Sequence, residues 1–271
     1  MADASGLPAL LRHPRGRGEL LQPRTLTRDE ENIEGETADP DFYYTDAISD
    51  TAVGYVEQHL REAADNPFFL YVAYTAPHCP LHAHDDDIAA YKGRFDAGWD
   101  VLRAERLGRF RAAGILDESW ALSDRDPRVP AWEDTPDHRW EARRMEVYAA
   151  QVEAMDRGIG HLVDALAAAG RLDNTLFVYL SDNGGCAEEM PIESARDFVT
   201  SFVPLPDSAR DGTADRGGQC PGDRARPRDD VRDVRPCLGE SLQHAVPRVQ
   251  FKHWVHQGGI SSPFISSGRA D

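Results

Sequence analysis

The chain contains only two lysines, Lys92 and Lys252, among its 271 residues, so arginine supplies nearly all of its positive charge. Acidic residues outnumber basic ones, and the formal net charge is −17. This excess argues against a nucleic-acid partner, because binding to phosphates requires a basic surface. A site for an anionic substrate would have to be made locally positive by a metal ion or a few placed cations.

Cysteines and long apolar runs are also scarce. The four cysteines show no C-x-x-C pair and no zinc-type spacing, so a disulfide framework is not indicated. No run approaches the roughly 18 apolar residues of a membrane helix, which argues against a membrane partner. Residues 1–20 lack the apolar core of a signal peptide, and the sequence does not indicate a compartment.

The most informative stretch is residues 176–185, which read LFVYLSDNGG. Its uncharged apolar run predicts a strand buried on both faces, and ligands of open α/β sheets bind at the carboxyl ends of such strands. Asp182 and Asn183 offer two hard oxygen donors there, which suit Ca²⁺ or Mg²⁺ better than zinc or copper. The same residues are also typical of an Asn-Gly turn that closes a strand. Both interpretations stay open on this stretch alone.

Helical and strand-like patterns alternate through the middle of the chain. Residues 45–63 predict a helix, and the apolar run FFLYVAY at 68–74 predicts a second buried strand. A long helix is predicted over 140–168, with Gly170 as its C-cap. Its apolar stripe consists of Tyr148, Val152, Met155, Ile159, Leu162 and Leu166. This order predicts an α/β fold with helices on both faces of a mostly parallel or mixed central sheet.

Composition divides the chain unevenly. Residues 1–40 show no sustained periodicity and predict an irregular N-terminal segment, whereas 41–271 predict one domain. Within that domain, residues 85–140 predict short helices packed by tryptophans. Residues 187–250 are dense in Arg, Asp, Gly and Pro, which predicts a disordered or aberrant loop. The composition of 205–250 is typical of frame-shifted translation, a hypothesis that resequencing of the coding DNA tests.

Four blocks carry the most specific pattern, and any one of them alone would be weak. They read PFFLYVAYTAPHCPLHA, MDRGIGHLVDAL, NTLFVYLSDNGG and FKHWVHQGGISSPFI. Together and in this order they resemble the sulfatase family, and most closely the bacterial arylsulfatases of the alkaline-phosphatase-like superfamily. The resemblance implies an alkaline-phosphatase-like α/β fold, incomplete in this chain, and makes residues 41–271 a partial sulfatase domain.

The resemblance also implies roles for individual residues. Asp182 and Asn183 match the family's late pair of Ca²⁺ ligands. His78 matches the histidine that hydrogen-bonds the sulfate or its leaving oxygen, and Lys252 matches the lysine that contacts the sulfate. A metal, a lysine and a histidine would together stabilise the negative charge that develops as a sulfate ester is cleaved. Without the resemblance, His78 is interpreted as a strand-end histidine and Lys252 as a solvated lysine.

Departures from the family pattern bear on activity. Sulfatases use a formylglycine nucleophile made from the first residue of a C/S-x-P-x-R motif, and the sequence contains no such motif. The early pair of aspartates that would complete the calcium site is also absent, and Gln257 stands where relatives usually carry glutamate. His82 and His84 are interpreted as supporting or surface residues, because no zinc-type spacing connects them.

The resemblance therefore implies a calcium-dependent, arylsulfatase-type hydrolase that acts on a small-molecule or glycan sulfate ester. It further implies that the chain is an internal piece of such an enzyme, without the nucleophile. One alternative is a catalytically inactive sulfatase remnant. Another is a related metal-dependent phosphoester or phosphonoester hydrolase, against which the KHWVHQGG block argues. A third is a binding module, which predicts that metal has no effect on stability.

Overall fold

The computed structural model describes residues 11–12, 20–21, 23, 26–78, 81–125, 127, 129–182 and 264–268. Helices within these ranges are α1 (Tyr44–Glu62), α2 (Asp85–Ala90), α3 (Gly98–Ala112) and α4 (His138–Ala168). Short 3-10 helices lie at Glu34–Ala38, Trp132–Asp134 and Leu172–Asn174. The strands are β1 (Leu11–Arg12), β2 (Thr27–Arg28), β3 (Glu31–Asn32), β4 (Phe177–Leu180) and β5 (Phe264–Ser267). No helix in the described ranges is long and apolar enough to cross a membrane.

The two long helices, α1 and α4, pack side by side and run in the same direction. Ser49, in the first half of α1, lies against Gly158 of α4. Further along both helices, Val56 shares an apolar cluster with Leu162 and Leu166. We call this group the Val56 cluster. Both helices are confirmed within two residues of their predicted limits, since periodicity over several turns is a strong local signal.

The buried face of α4 differs from the predicted apolar stripe. Ala150, Ala154 and Gly158 recur every four residues and are buried, whereas Val152 and Ile159 of the predicted stripe are only half-buried. These short residues allow α1 to approach closely. A Cβ added at Gly158 would lie 1.9 Å from the hydroxyl oxygen of Ser49. Close approach of the helix backbones therefore determines which side of α4 is buried.

Both ends of α4 carry recognisable caps. The side chain of Asp137 accepts a backbone N–H in the first turn, as expected of an N-cap. At the other end, Gly170 adopts a φ of 66°, which glycine reaches without a Cβ clash. The Gly170 N–H donates to the Ala167 carbonyl and the Arg171 N–H to the Leu166 carbonyl, both at 2.9 Å. This pair of bonds is a Schellman motif, so the predicted C-cap is confirmed.

The two apolar runs at 68–74 and 176–180 each have only one covered face. Leu70 and Val72 of the first run, and Phe177 of β4, pack on the Val56 cluster. Alternate residues face away from the helices, and Phe69 is 77% exposed. The prediction of strands buried on both faces is therefore wrong within the described structure. Residues 68–74 are extended and form no strand pairing with other described residues.

All strand pairs that the structure describes are antiparallel. β1, β2 and β3 form one small sheet in that order, and β4 pairs with β5 so that Leu180 lies opposite Phe264. Helices and strands are both present, in agreement with the α/β class. A mostly parallel sheet with helices on both faces is not seen in the described ranges and stays a prediction.

Part of the N-terminal segment belongs to the core. Leu20, Leu21 and Leu26 are buried in one cluster with Ile48 of α1 and Ala154 of α4. The composition of residues 1–40 did not indicate this packing, because the three leucines lack a regular spacing. The predicted loop at 187–250 lies outside the described residues.

Residues 85–140 form short helices joined by irregular chain, as predicted. The rings of Trp99 and Trp132 pack edge to face with their centroids 4.7 Å apart. Gly98 begins α3 with a φ of 77°, and a Cβ there would overlap the Trp132 ring at 2.1 Å. The tryptophan pair therefore fixes where α3 starts.

Candidate active-site edge

His78 ends the tight turn that follows the extended segment 68–74. Its backbone N–H donates to the carbonyl of Thr75 at 3.0 Å, and the Ala76–Pro77 peptide bond between them is cis. A cis-proline at the third position is the mark of a type VI turn. His78 is half-buried in this turn. The backbone of His78 therefore closes a turn at the carboxyl end of the segment.

The segment that leads to His78 runs antiparallel to α1. Leu70 packs on the Val56 cluster, towards the C-terminal end of α1. Tyr74 packs beside Ile48, near the start of α1, and its hydroxyl lies 3.0 Å from the hydroxyl of Ser49. Burial raises the pKa of Tyr74, so the phenol stays neutral at physiological pH. The segment thus delivers His78 to the end of the helix pair where α1 begins.

β4 leads from the Val56 cluster to Asp182. Phe177, at the start of β4, packs on that cluster with Leu162. Burial raises the pKa of Tyr148, in the first half of α4, to about 12. Asp182 is exposed, two residues beyond the end of β4.

The structure describes two of the four predicted site residues, His78 and Asp182, and both follow segments that pack on one cluster. Asn183 and Lys252 lie outside the described residues, and the roles of all four stay predictions. The described residues contain no group of three or more His, Cys, Asp or Glu side chains arranged to hold a metal ion.

A network of charged side chains braces this end of the molecule. Arg157 of α4 donates two hydrogen bonds of 3.0 Å to the carboxylate of Asp87 in α2, a bidentate geometry. The bond to Asp87 raises the pKa of Arg157. Asp46 of α1 lies 4.0 Å from Arg157 and 3.3 Å from the ring of His84. The network joins α1, α2 and α4 beside the loop that carries His78.

His82 lies in the loop that follows His78 and anchors it by hydrogen bonds in the protein interior. It is 2% exposed, and its Nδ1 accepts the backbone N–H of Leu20 at 3.3 Å. The hydroxyl of Tyr43 donates to the His82 carbonyl at 2.8 Å, and burial raises the pKa of Tyr43 well above its usual value. His82 and His84 both bond to protein groups that fix the loop. This agrees with the interpretation of these histidines as supporting residues.

The sequence of this chain matches one protein family. The family model described as Sulfatase matches residues 14–224. An uncharacterized sulfatase of Schizosaccharomyces pombe is 36% identical over 153 residues, which cover 54% of this chain and 28% of the relative. An arylsulfatase of Klebsiella aerogenes is 34% identical over 179 residues, which cover 65% of this chain and 37% of the relative. The chain thus spans little more than a third of these relatives at most.

Solved structures give weaker likenesses. A crystal structure of Ps i-CgsB in complex with k-i-k-neocarrahexaose is 30% identical and covers 60% of this chain and 24% of that protein, with a TM-score of 0.36. The yidJ protein of Bacteroides fragilis is 18% identical and covers 68% of this chain and 33% of that protein, with a TM-score of 0.43. The sequence matches, rather than these superpositions, establish the family. Because the family model extends over most of its residues, this chain belongs to the sulfatase family.

Proposed function

We propose that this chain supplies part of the sulfate site of a calcium-dependent sulfuric ester hydrolase of the arylsulfatase type, and that this part lies at the described end of the α1–α4 pair. The supporting observation is the placement of His78 and Asp182. Both follow apolar segments that pack on the Val56 cluster, and the segment before His78 runs towards the start of α1. Membership of the sulfatase family gives this edge its chemical interpretation.

The donor chemistry at this edge fits Ca²⁺. The carboxylate of Asp182 is exposed and open to a ligand, and carboxylate and amide oxygens are the donors that Ca²⁺ prefers. Asn183 would be the second ligand. When bound, Ca²⁺ would polarise the sulfate oxygens and offset the charge that develops during cleavage.

The residues of this chain would bind and orient the ester. His78, fixed by its turn, would hydrogen-bond the sulfate or its leaving oxygen, and Lys252 would contact the sulfate as a cation. The sequence supplies no formylglycine motif, so no attacking group is assigned to it. One second candidate is a catalytically inactive sulfatase remnant that still binds the ester.

Calcium should stabilise the protein through Asp182. At a Ca²⁺ concentration about ten times Kd, binding to the native state alone contributes about 1.4 kcal/mol, or ~3–6 °C in Tm. Differential scanning calorimetry should show this rise for the wild-type chain and lose it in Asp182→Ala. Asp173→Ala is the control, because Asp173 is also an exposed aspartate and lies in the 3-10 helix that precedes β4. A rise that survives in Asp182→Ala would remove this residue from the calcium site.

Aryl sulfate should bind to the chain in a His78-dependent manner without being hydrolysed. Loss of one hydrogen bond to a charged group costs about 1.5–3 kcal/mol, so His78→Ala should weaken binding of 4-nitrophenyl sulfate by roughly ten- to a hundredfold in calorimetry. The exposed His161 on α4 provides the control variant His161→Ala. No nitrophenol should be released, because covalent catalysis needs the missing nucleophile.

Three results would contradict this picture of the site. Rapid release of nitrophenol that depends on His78 would show that another residue attacks the ester. Tighter binding of 4-nitrophenyl phosphate than of the sulfate would instead favour the phosphoester hydrolase. Equal binding by the wild-type chain and His78→Ala would remove His78 from the site.

A further inference from the structure

The helix that follows the His78 loop is too short to fix its own position. α2 has six residues, fewer than two turns, and an isolated helix that short is unstable in water. Of its six described residues only Ile88 is buried, in a cluster with Val147 and Ala150 of α4. With one buried side chain, a short helix can pivot about its contact. The orientation of α2, and of the chain that enters it, therefore depends on further contacts.

Arg157 supplies a second point of attachment on α4. Its guanidinium donates two hydrogen bonds of 3.0 Å to Asp87, and it lies about two turns of helix beyond Ala150. Two adjacent residues of α2 therefore contact α4 at separate points, Ile88 near Ala150 and Asp87 at Arg157. Two separate points fix the direction of a short helix, whereas one does not.

Arg157 also lies between two carboxylates. Its guanidinium is 3.0 Å from Asp87 of α2 and 4.0 Å from Asp46 of α1. Asp46 in turn lies 3.3 Å from the ring of His84, the residue before α2. Loss of Arg157 would remove the cation that the two carboxylates share, so their repulsion would favour separation of α1 from α2. We call Asp46, His84, Asp87 and Arg157 the Arg157 clamp.

The Arg157 clamp is connected to His78 by a short and packed stretch of chain. Only five residues separate His78 from His84 in the sequence. The ring of His84 lies 5.0 Å from the ring of Tyr43, whose hydroxyl donates to the carbonyl of His82 at 2.8 Å. A displacement of α2 would therefore act on the loop at His84 and, through Tyr43, at His82.

We propose that Arg157 is a positioning residue of the sulfate site, which fixes the loop around His78 by clamping α2 to α1 and α4. This inference rests on the proposed role of His78 in binding the ester. Arg157→Gln removes the charge and the bidentate pair, whereas Arg157→Lys keeps the charge without the bidentate geometry. Arg28→Gln is the matched control. Arg28 forms the same bidentate pair with Glu36, and its side chain is 40% exposed against 38% for Arg157.

Amide hydrogen exchange of the full chain tests the clamp without any ligand. In Arg157→Gln, residues 81–90 should exchange about two- to fivefold faster, because exchange reports local opening and a partly exposed ion pair contributes modestly to it. The rates in Arg157→Lys should lie between those of Arg157→Gln and the wild type. Arg28→Gln should leave exchange at 81–90 unchanged. Unchanged exchange of these residues in Arg157→Gln would overturn the proposal, as would equal acceleration in Arg28→Gln.

Calorimetry with 4-nitrophenyl sulfate tests the connection to His78. Arg157→Gln should weaken binding about two- to fivefold in the wild-type background and not at all in the His78→Ala background, because Arg157 acts through His78. A residue that only stabilised the fold would not show this dependence. Equal weakening in both backgrounds would overturn the proposal. A wild-type chain that binds no ester would contradict the proposed function, whereas the exchange experiment would still decide whether the clamp exists.

Discussion

Replacing Arg144 by methionine should lower the free energy of unfolding by about 3–5 kcal/mol, which is a large part of the stability of a typical domain. The side chain of Arg144 is 2% exposed and donates to the carboxylate of Glu141 at 2.9 Å, while the side chain of Glu141 is 6% exposed. Methionine retains much of the apolar stem of arginine but removes the buried cation that pairs with Glu141. Urea denaturation measures the loss.

Two further variants separate the buried charge from the change in packing. Glu141→Leu combined with Arg144→Met removes both charges, and should recover most of the lost stability. Arg109→Met breaks an exposed pair with Glu105, in which both side chains are more than half exposed, and should cost no more than about 0.5 kcal/mol. A double variant as unstable as the single one would show that packing, rather than the lost ion pair, dominates.

Gly158→Ala should destabilise the protein by about 1–3 kcal/mol, although alanine is the better helix former. The added Cβ would lie 1.9 Å from the Ser49 hydroxyl oxygen and 2.7 Å from the Ser49 Cβ. Rotating the hydroxyl away would break its bond to the Thr45 carbonyl and would leave the second clash in place. The helices would have to move apart. Thermal unfolding followed by circular dichroism measures the effect.

Gly160→Ala is the matched control for this crossing. A Cβ at Gly160 meets no atom within 4 Å, so the substitution should stabilise α4 by up to ~1 kcal/mol. The double variant Ser49→Gly with Gly158→Ala removes the side chain of Ser49 that the new Cβ would meet. It should therefore recover part of the lost stability. If Gly158→Ala were as stable as Gly160→Ala, the α1–α4 contact would be looser than the structure shows.

The helices could be predicted from the sequence, but the side that each one buries could not. Amphipathic periodicity is local, and it identified α1 and α4 within two residues. Ala150, Ala154 and Gly158 have little hydrophobic signal, yet they form the closest contact because their shortness matters only when α1 arrives. The apolar runs at 68–74 and 176–180 have a strong hydrophobic signal on both faces, although only one face is covered. Composition cannot show which face that is.

The candidate site, like the helices, could be predicted from the sequence only in part. His78 and Asp182 were identified from short motifs, because strand ends followed by polar residues are visible in the sequence. The bracing pairs were not, since Arg157 and Asp87 are 70 residues apart and His84 and Asp46 are 38 apart. Charge pairing over such distances depends on the fold, and every exposed acidic run offers many possible partners. The site roles of His78, Asp182, Asn183 and Lys252 all stay predictions.

The parallel arrangement of α1 and α4 has a consequence for biosynthesis. Ser49 and Gly158 meet across about 110 residues of sequence, so the principal helix contact is non-local and its loop closure is slow. At a synthesis rate of about 5–20 residues per second, the apolar side of α1 waits on the order of 5–20 s before α4 emerges to cover it. Ile48, Ala52 and Val56 are open to unwanted association during that interval. Nascent chains that stall before α4 should therefore be the species that a chaperone retains.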